Sequence, residues 1–336
     1  MDHGPIFIGG PDRCGKTTLR AFLSSHPNIA IPDIGSNYWT FFYQQYGNLG
    51  RRENFERCLA AMLRYKHVLF IRPDTDRIRR EFWQGEPTYA RLFALFHEHY
   101  AEREGKPRWG DQSGLIERYA DPIFAAYPAA KMIHMVRDPR DRYEASLALW
   151  PHGKGRVGGA TARWLYSVGL AKRNQQRYPN RYKIVRYETM VSQPEQTLRA
   201  VCAFLDEDYT PAMLTMEGAA NFRSKISNNS HEVSGSSLLS TKFIGRFRQA
   251  IPKHEIAFMQ AHASRDMTAY GYELEPISFS LDQRLSFYCV DWPVNLARLV
   301  TWRTVEAIQH NFPAQFGRKP DREKAIKQTA LAVASE

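Results

Sequence analysis

The residues best suited to chemistry begin at Gly9. The stretch GGPDRCGKTTLR, residues 9–20, contains G-x-x-x-x-G-K-T from Gly10 to Thr17 and follows the apolar run PIFI. A glycine-rich turn entering a helix aims backbone N–H groups and the positive end of the helix dipole at one point, which holds phosphate. Gly15 permits close backbone approach, Arg13 and Lys16 add charge, Thr17 and Thr18 add hydroxyls, and Cys14 completes the turn. The spacing also fits an ATP- or GTP-binding loop. Triphosphate chemistry needs magnesium held by an acid at another strand end, and the candidate is Asp138 after KMIHMV. Asp138 stands inside RDPRD, directly behind Arg137. Cations massed there suit a second phosphate better than a metal.

These groups need a scaffold that brings strand ends together. PIFIGG reads as a buried strand, and TTLRAFLSS as a helix with Leu19, Phe22 and Leu23 on one face. HPNIAIP reads as a second short strand ended by Pro32, AKMIHMV as a strand over Ala130–Val136, and YKIVRYE as one over Tyr182–Glu188. Helical stretches alternate with them, which predicts an α/β domain with a mostly parallel sheet. Ligands of such sheets sit outside the carboxyl ends of the strands, so the loop, RDPRD and RYE converge on one region. Residues 36–106 read as a helical insertion over one side of the cleft; its aromatics Tyr38, Trp39, Phe41, Phe42, Tyr43 and Tyr46 are either cleft lining or core. Residues 284–312 are amphipathic and carry Trp292 and Trp302, and a polar tail follows from 313 to 336.

Bulk properties narrow the partners. The net charge of +11 suits an anionic ligand or surface. The basic residues are scattered and match no nucleic-acid motif, so nucleic acid is not an expected partner. Cys14, Cys58, Cys202 and Cys289 lie far apart and form no C-x-x-C, which supports neither a zinc site nor a disulfide framework. Without a signal-peptide pattern or an apolar run of about 18 residues, the expected setting is cytoplasmic.

IHMVRDPRDRYEAS, taken with the loop, resembles the sulfotransferases that use 3′-phosphoadenosine 5′-phosphosulfate (PAPS) as donor and release 3′-phosphoadenosine 5′-phosphate (PAP). HPNIAIP, VRYETMVSQPEQTLRAVCAFL and STKFIGRFRQAIPKHEIAFMQ extend the resemblance in order over residues 5–275. It implies a three-layer α/β/α fold, P-loop NTPase-like, spanning residues 1–275 with residues 36–106 as an acceptor-side lid; residues 276–312, beyond the resemblance, read as a helical extension. It further implies that Arg13, Cys14, Gly15, Lys16, Thr17 and Thr18 cradle the 5′-phosphosulfate. Arg137 and Ser146 would hold the 3′-phosphate, Tyr187 would lie against the adenine, and Lys242 would grip the nucleotide. Phe247 replaces the tryptophan of the family's G-R-W-R. No metal is required.

Two departures bear on mechanism. Lys16 replaces the family's first loop threonine, and Gln112 stands where a lysine commonly follows W-G-(D/E). Sulfuryl transfer needs a cation at the leaving oxygen, so Lys16 is assigned that role. The resemblance implies that the base taking the acceptor proton follows HPNIAIP, at Asp33, with Asp111 and His97 as alternatives. The histidines of HEH, at 97 and 99, are two apart on a helix and do not face a common metal. The acceptor is a hydroxyl or amine of a small molecule, carbohydrate or lipid. The extension is expected to contact a membrane surface, a second subunit or the core. A P-loop kinase using ATP and magnesium is the rival enzyme class, and a non-catalytic nucleotide-binding module is the third.

Overall fold

The computed structural model describes residues 3–219 and 239–316; most of the polar tail, 317–336, lies outside them. Five strands, β1 (Ile6–Gly9), β2 (Ile29–Ala30), β3 (Arg108–Gln112), β4 (Lys131–Val136) and β5 (Tyr182–Arg186), form a parallel sheet in the order β2-β3-β1-β4-β5. β1 is central, with Ile8 opposite Gln112 on one side and Ile133 on the other. Its side chains alternate between two cores. Ile6 and Ile8 pack with Leu19, Phe22 and Leu198, whereas Phe7 packs with Tyr38, Phe93 and Trp109. Burial on both faces explains why the strand is apolar throughout.

Helix Lys16–Ser24 and helix Pro194–Leu205 cover the first face. The other carries the insertion, whose helices are Tyr38–Phe41, Arg52–Met62, Lys66–Leu69, Thr75–Phe82 and Tyr89–Arg103. Helices thus lie on both sides of the sheet. Tyr38, Trp39 and Phe42 are buried in the core, while Phe41, Tyr43 and Tyr46 are half-buried against it. A cavity of about 810 Å³ opens between Trp39, Tyr43, Tyr89, Glu98 and Tyr127; no residue of the glycine loop lines it. β5 ends two residues earlier than the sequence predicts, because Tyr187 already begins helix Tyr187–Ser192.

The amphipathic extension forms helix Trp292–Asn311, which lies on helix Val157–Arg177. Gly158 makes the close crossing feasible: a Cβ there would stand 1.9 Å from the Asn295 carbonyl oxygen. Its backbone N–H donates to Asn295 Oδ1 at 3.0 Å. Arg118 pairs with Glu306 from the extension, both side chains 2% exposed. Along the extension Leu281, Leu285, Tyr288, Val290, Val300 and Phe312 are exposed. No helix among the described residues is long and apolar enough to cross a membrane.

Candidate active site

The glycine loop leaves β1 and enters helix Lys16–Ser24 through Gly15, which has φ +90°. A Cβ on Gly15 would lie 2.5 Å from the Tyr187 ring, so glycine is required by both conformation and space. Arg13 also adopts a left-handed backbone, φ +63°. Two side chains turn inward. Cys14 is buried and its thiol contacts the Pro11 carbonyl oxygen at 2.7 Å; burial raises its pKa. Lys16 is buried and its ammonium donates to the carbonyls of Gly10 (2.6 Å) and Pro11 (2.5 Å). Arg13 and Thr17 remain exposed.

RDPRD begins at the carboxyl end of β4, next to β1 in the sheet. Arg137 is 5% exposed and donates to the carbonyls of Arg13 (3.1 Å) and Phe243 (2.8 Å). Its guanidinium lies 4.4 Å from the Tyr187 ring centroid. Desolvation, followed by the Arg137 charge, lowers the Arg13 pKa, so two cations crowd one another here. Arg137 Nε is buried with no hydrogen-bond partner. An unpaired guanidinium N–H is costly to bury. An anion lying between Arg13 and Arg137 would relieve both the orphaned donor and the repulsion.

The rest of the motif is structural. Asp138 caps helix Pro139–Leu147 by accepting from Arg140 N (2.9 Å), and it also accepts from Arg140 Nε (3.0 Å) and Nη2 (2.6 Å). Asp141 accepts from the backbone of Gly245 (2.6 Å) and Phe247 (3.0 Å), fastening the closing segment to this helix. Arg140 stacks on Phe247 at 4.0 Å. Lys242 stands exposed in that segment, next to the Phe243 carbonyl that receives Arg137. Ser146 donates to Arg142 O (2.9 Å) and lies 3.5 Å from Asp12 Oδ2. Asp12 pairs with Arg142 (2.8 Å) and Arg163 (2.9 Å). Burial alone would raise its pKa, but Arg142, Arg163 and Lys16 hold it well below the usual carboxylate range.

The donor-side residues predicted from sequence, Arg13 to Thr18, Arg137, Ser146, Tyr187 and Lys242, therefore border one loop. The three base candidates are placed differently. Asp33 is partly exposed and forms an ion pair with buried Arg20 at 3.1 Å. Asp111 is fully buried and accepts from Ser36 N (3.0 Å), Ser36 Oγ (3.2 Å) and Ser113 Oγ (2.7 Å). His97, 1% exposed, lies 3.5 Å from it. Burial raises the Asp111 pKa, but His97 and the Ser36 and Ser113 donors more than offset this. His99 is separately occupied by Glu81 at 2.7 Å.

Sequence reading missed several groups because their partners are distant in the chain. Asp12, Arg142 and Arg163 are one set. His67 is another: its Nδ1 lies 2.9 Å from the Gly35 carbonyl oxygen and 3.2 Å from Asn37 Nδ2. Gly35 abuts the Gln112 carbonyl at the end of β3. Burial lowers the His67 pKa, with the Gly35 hydrogen bond opposing the shift. Glu117 behind the loop is a third.

A sulfotransferase family model matches residues 5–211. A protein-tyrosine sulfotransferase of Drosophila melanogaster is 22% identical over 223 residues, 64% of this chain but only 40% of that protein. The sulfotransferase domain of the Synechococcus PCC 7002 olefin synthase superposes with a TM-score of 0.54 at 19% identity, covering 81% of this chain and 95% of the domain. The sulfotransferase domain of the curacin biosynthetic pathway gives 0.52 at 18% identity, covering 81% and 99%. With more than half its length matched by the family model, the chain belongs to the sulfotransferase family.

Proposed function

We propose that the protein transfers a sulfuryl group from PAPS to a hydroxyl or amine of a small-molecule, carbohydrate or lipid acceptor. The observation that carries this reading is the Arg13–Arg137 cation pair beside Tyr187, with Arg137 Nε buried and unsatisfied. It fits a nucleotide bearing a second phosphate away from the loop. The acceptor oxygen or nitrogen forms the new bond to sulfur while the bond from sulfur to the 5′-phosphate oxygen breaks. The acceptor proton passes to a base. Loop N–H groups, Thr17, Thr18 and Arg13 would hold the phosphosulfate, Arg137 and Ser146 the 3′-phosphate, and Lys242 would close over it. Lys16, its ammonium held by the Gly10 and Pro11 carbonyls, would stabilise the leaving oxygen as a positive charge beneath the loop and not as a direct hydrogen-bond donor.

The kinase alternative requires a metal-ligating acid, and Asp138 is already committed to Arg140 and to its helix cap. Asp33 is the proposed base, held by Arg20. A second reading gives this role to His67. It is favoured by an imidazole kept neutral through burial next to the end of β3. The Drosophila relative's name adds a tyrosine hydroxyl to the acceptors worth testing. The exposed row on the extension is the surface for the expected membrane or second-subunit contact; liposome sedimentation and sedimentation velocity separate those two.

A thermal-shift panel tests the donor. PAP at about 100 Kd should add about 2.7 kcal/mol, and ADP should add much less. Arg137→Ala should remove that difference. Stabilisation by ATP with magnesium, and none by PAP, would overturn the reading.

A further inference from the structure

Gly10 opens the phosphate loop with φ +114°, a backbone that glycine shares with almost no other residue. Freedom of that kind must be removed if the loop is to stay shaped for an anion. The structure restrains this residue from both ends. Its carbonyl accepts from the Lys16 ammonium at 2.6 Å. Its N–H turns away from the loop's mouth and donates to Glu117 Oε2 at 2.9 Å.

Glu117 is fully buried and lies 107 positions away in the chain. Its other oxygen, Oε1, accepts from Ser167 Oγ at 2.5 Å. Ser167 is 3.2 Å from His134 Nε2, and His134 Nδ1 is 2.7 Å from the Tyr182 hydroxyl. The Glu117 backbone carbonyl accepts from Asn174 Nδ2 at 2.7 Å. Ser167 and Asn174 project from one face of helix Val157–Arg177, seven residues or about two turns apart. Arg118, the next residue, faces Glu306 of the extension. The turn Ile116–Tyr119 is thus tied to a long helix on one side and to the extension on the other, and its Glu117 carboxyl reaches the loop.

We infer that Glu117 is a positioning residue for the donor: it fixes the orientation of Gly10, with Lys16 as the opposing restraint, and so sets the shape of the phosphosulfate cradle. Its carboxyl is fully buried and engaged by Gly10 and Ser167. The inference rests on the sulfuryl-transfer reading for its effect on donor binding, but not for its effect on the loop.

The test has two arms. In calorimetry, Glu117→Ala should weaken PAP binding about ten-fold or more, the worth of one hydrogen bond to a charged group. Glu117→Gln, which keeps an acceptor for Gly10 N–H, should stay within about three-fold of the wild type. Acceptor KM should be the same in all three proteins. Glu117→Ala binding PAP like the wild type, or Glu117→Gln as weak as Glu117→Ala, overturns the inference. Should the wild type itself fail to bind PAP, the proposed function falls and the second arm decides this point alone. That arm is amide exchange of the ligand-free wild type. Gly10 N–H should be protected to the level of β1 and far above Arg13 and Cys14. Exchange of Gly10 as fast as those neighbours would overturn the inference even if no variant folded.

Discussion

Lys16 is the residue whose environment most changes how the loop is understood. Its side chain is curled under its own loop, holding two carbonyls. It therefore shapes the cradle and places a positive charge beneath it. Lys16→Thr, which removes that charge and releases both carbonyls, should reduce turnover by about 10²–10³-fold. Adding Gln112→Lys should recover much of that loss; a double variant no faster than Lys16→Thr alone would end the compensation idea. The base is separable in the same way. Asp33→Asn should lower kcat by about 10²–10⁴-fold with donor KM unchanged. If His67→Asn gives that loss and Asp33→Asn does not, the role belongs to His67. The acid limb of the rate profile should then lie below 6.5, because burial depresses the imidazole's affinity for its proton and activity is lost only as pH falls through that lowered value. None of these side-chain partnerships was legible in the sequence. Arg20 with Asp33, Arg142 with Asp12, and Gly10 with Glu117 are brought together only by the folded backbone, and they leave no local spacing to read.

At the scale of elements, legibility was high wherever burial imposes a period. The apolar runs at Ile6, Met132 and Val185 declared three strands, and their ends located the loop, RDPRD and RYE together. β2 is only two residues long and pairs with β3 at one edge of the sheet. β3 was harder to see, since RWGDQ mixes charge and glycine. Its charged residues are buried by partners elsewhere: Arg108 by Glu207 and Asp111 by two serines. The helix after β4 supplies a prediction at this scale. Asp138 is both its cap and the counter-charge of Arg140, which is 2% exposed. Asp138→Ala should cost about 3–5 kcal/mol, as expected for stranding a buried cation. A cap alone is worth about 1 kcal/mol. Urea denaturation distinguishes the two; a loss near 1 kcal/mol would mean Arg140 finds water or another partner.

The molecule as a whole is closed by its extension. Glu306→Gln should destabilise it by about 3 kcal/mol or more by leaving Arg118 buried without a counter-charge. Arg118→Leu combined with Glu306→Leu should regain most of that in the same urea titration. A double variant as unstable as the single would show that packing around the pair matters more than its charge. Sequence alone left the extension's contacts open, because an amphipathic helix presents the same pattern whatever covers it.

The Arg118–Glu306 pair also has a bearing on synthesis. Its members are 188 positions apart. At about 5–20 residues per second, a ribosome needs roughly 10–40 s to supply the second after the first. Through that interval β1, the glycine loop and Glu117 already exist, yet the turn behind the loop carries an unmatched charge. The turn that backs the glycine loop is therefore made well before the residue that neutralises it.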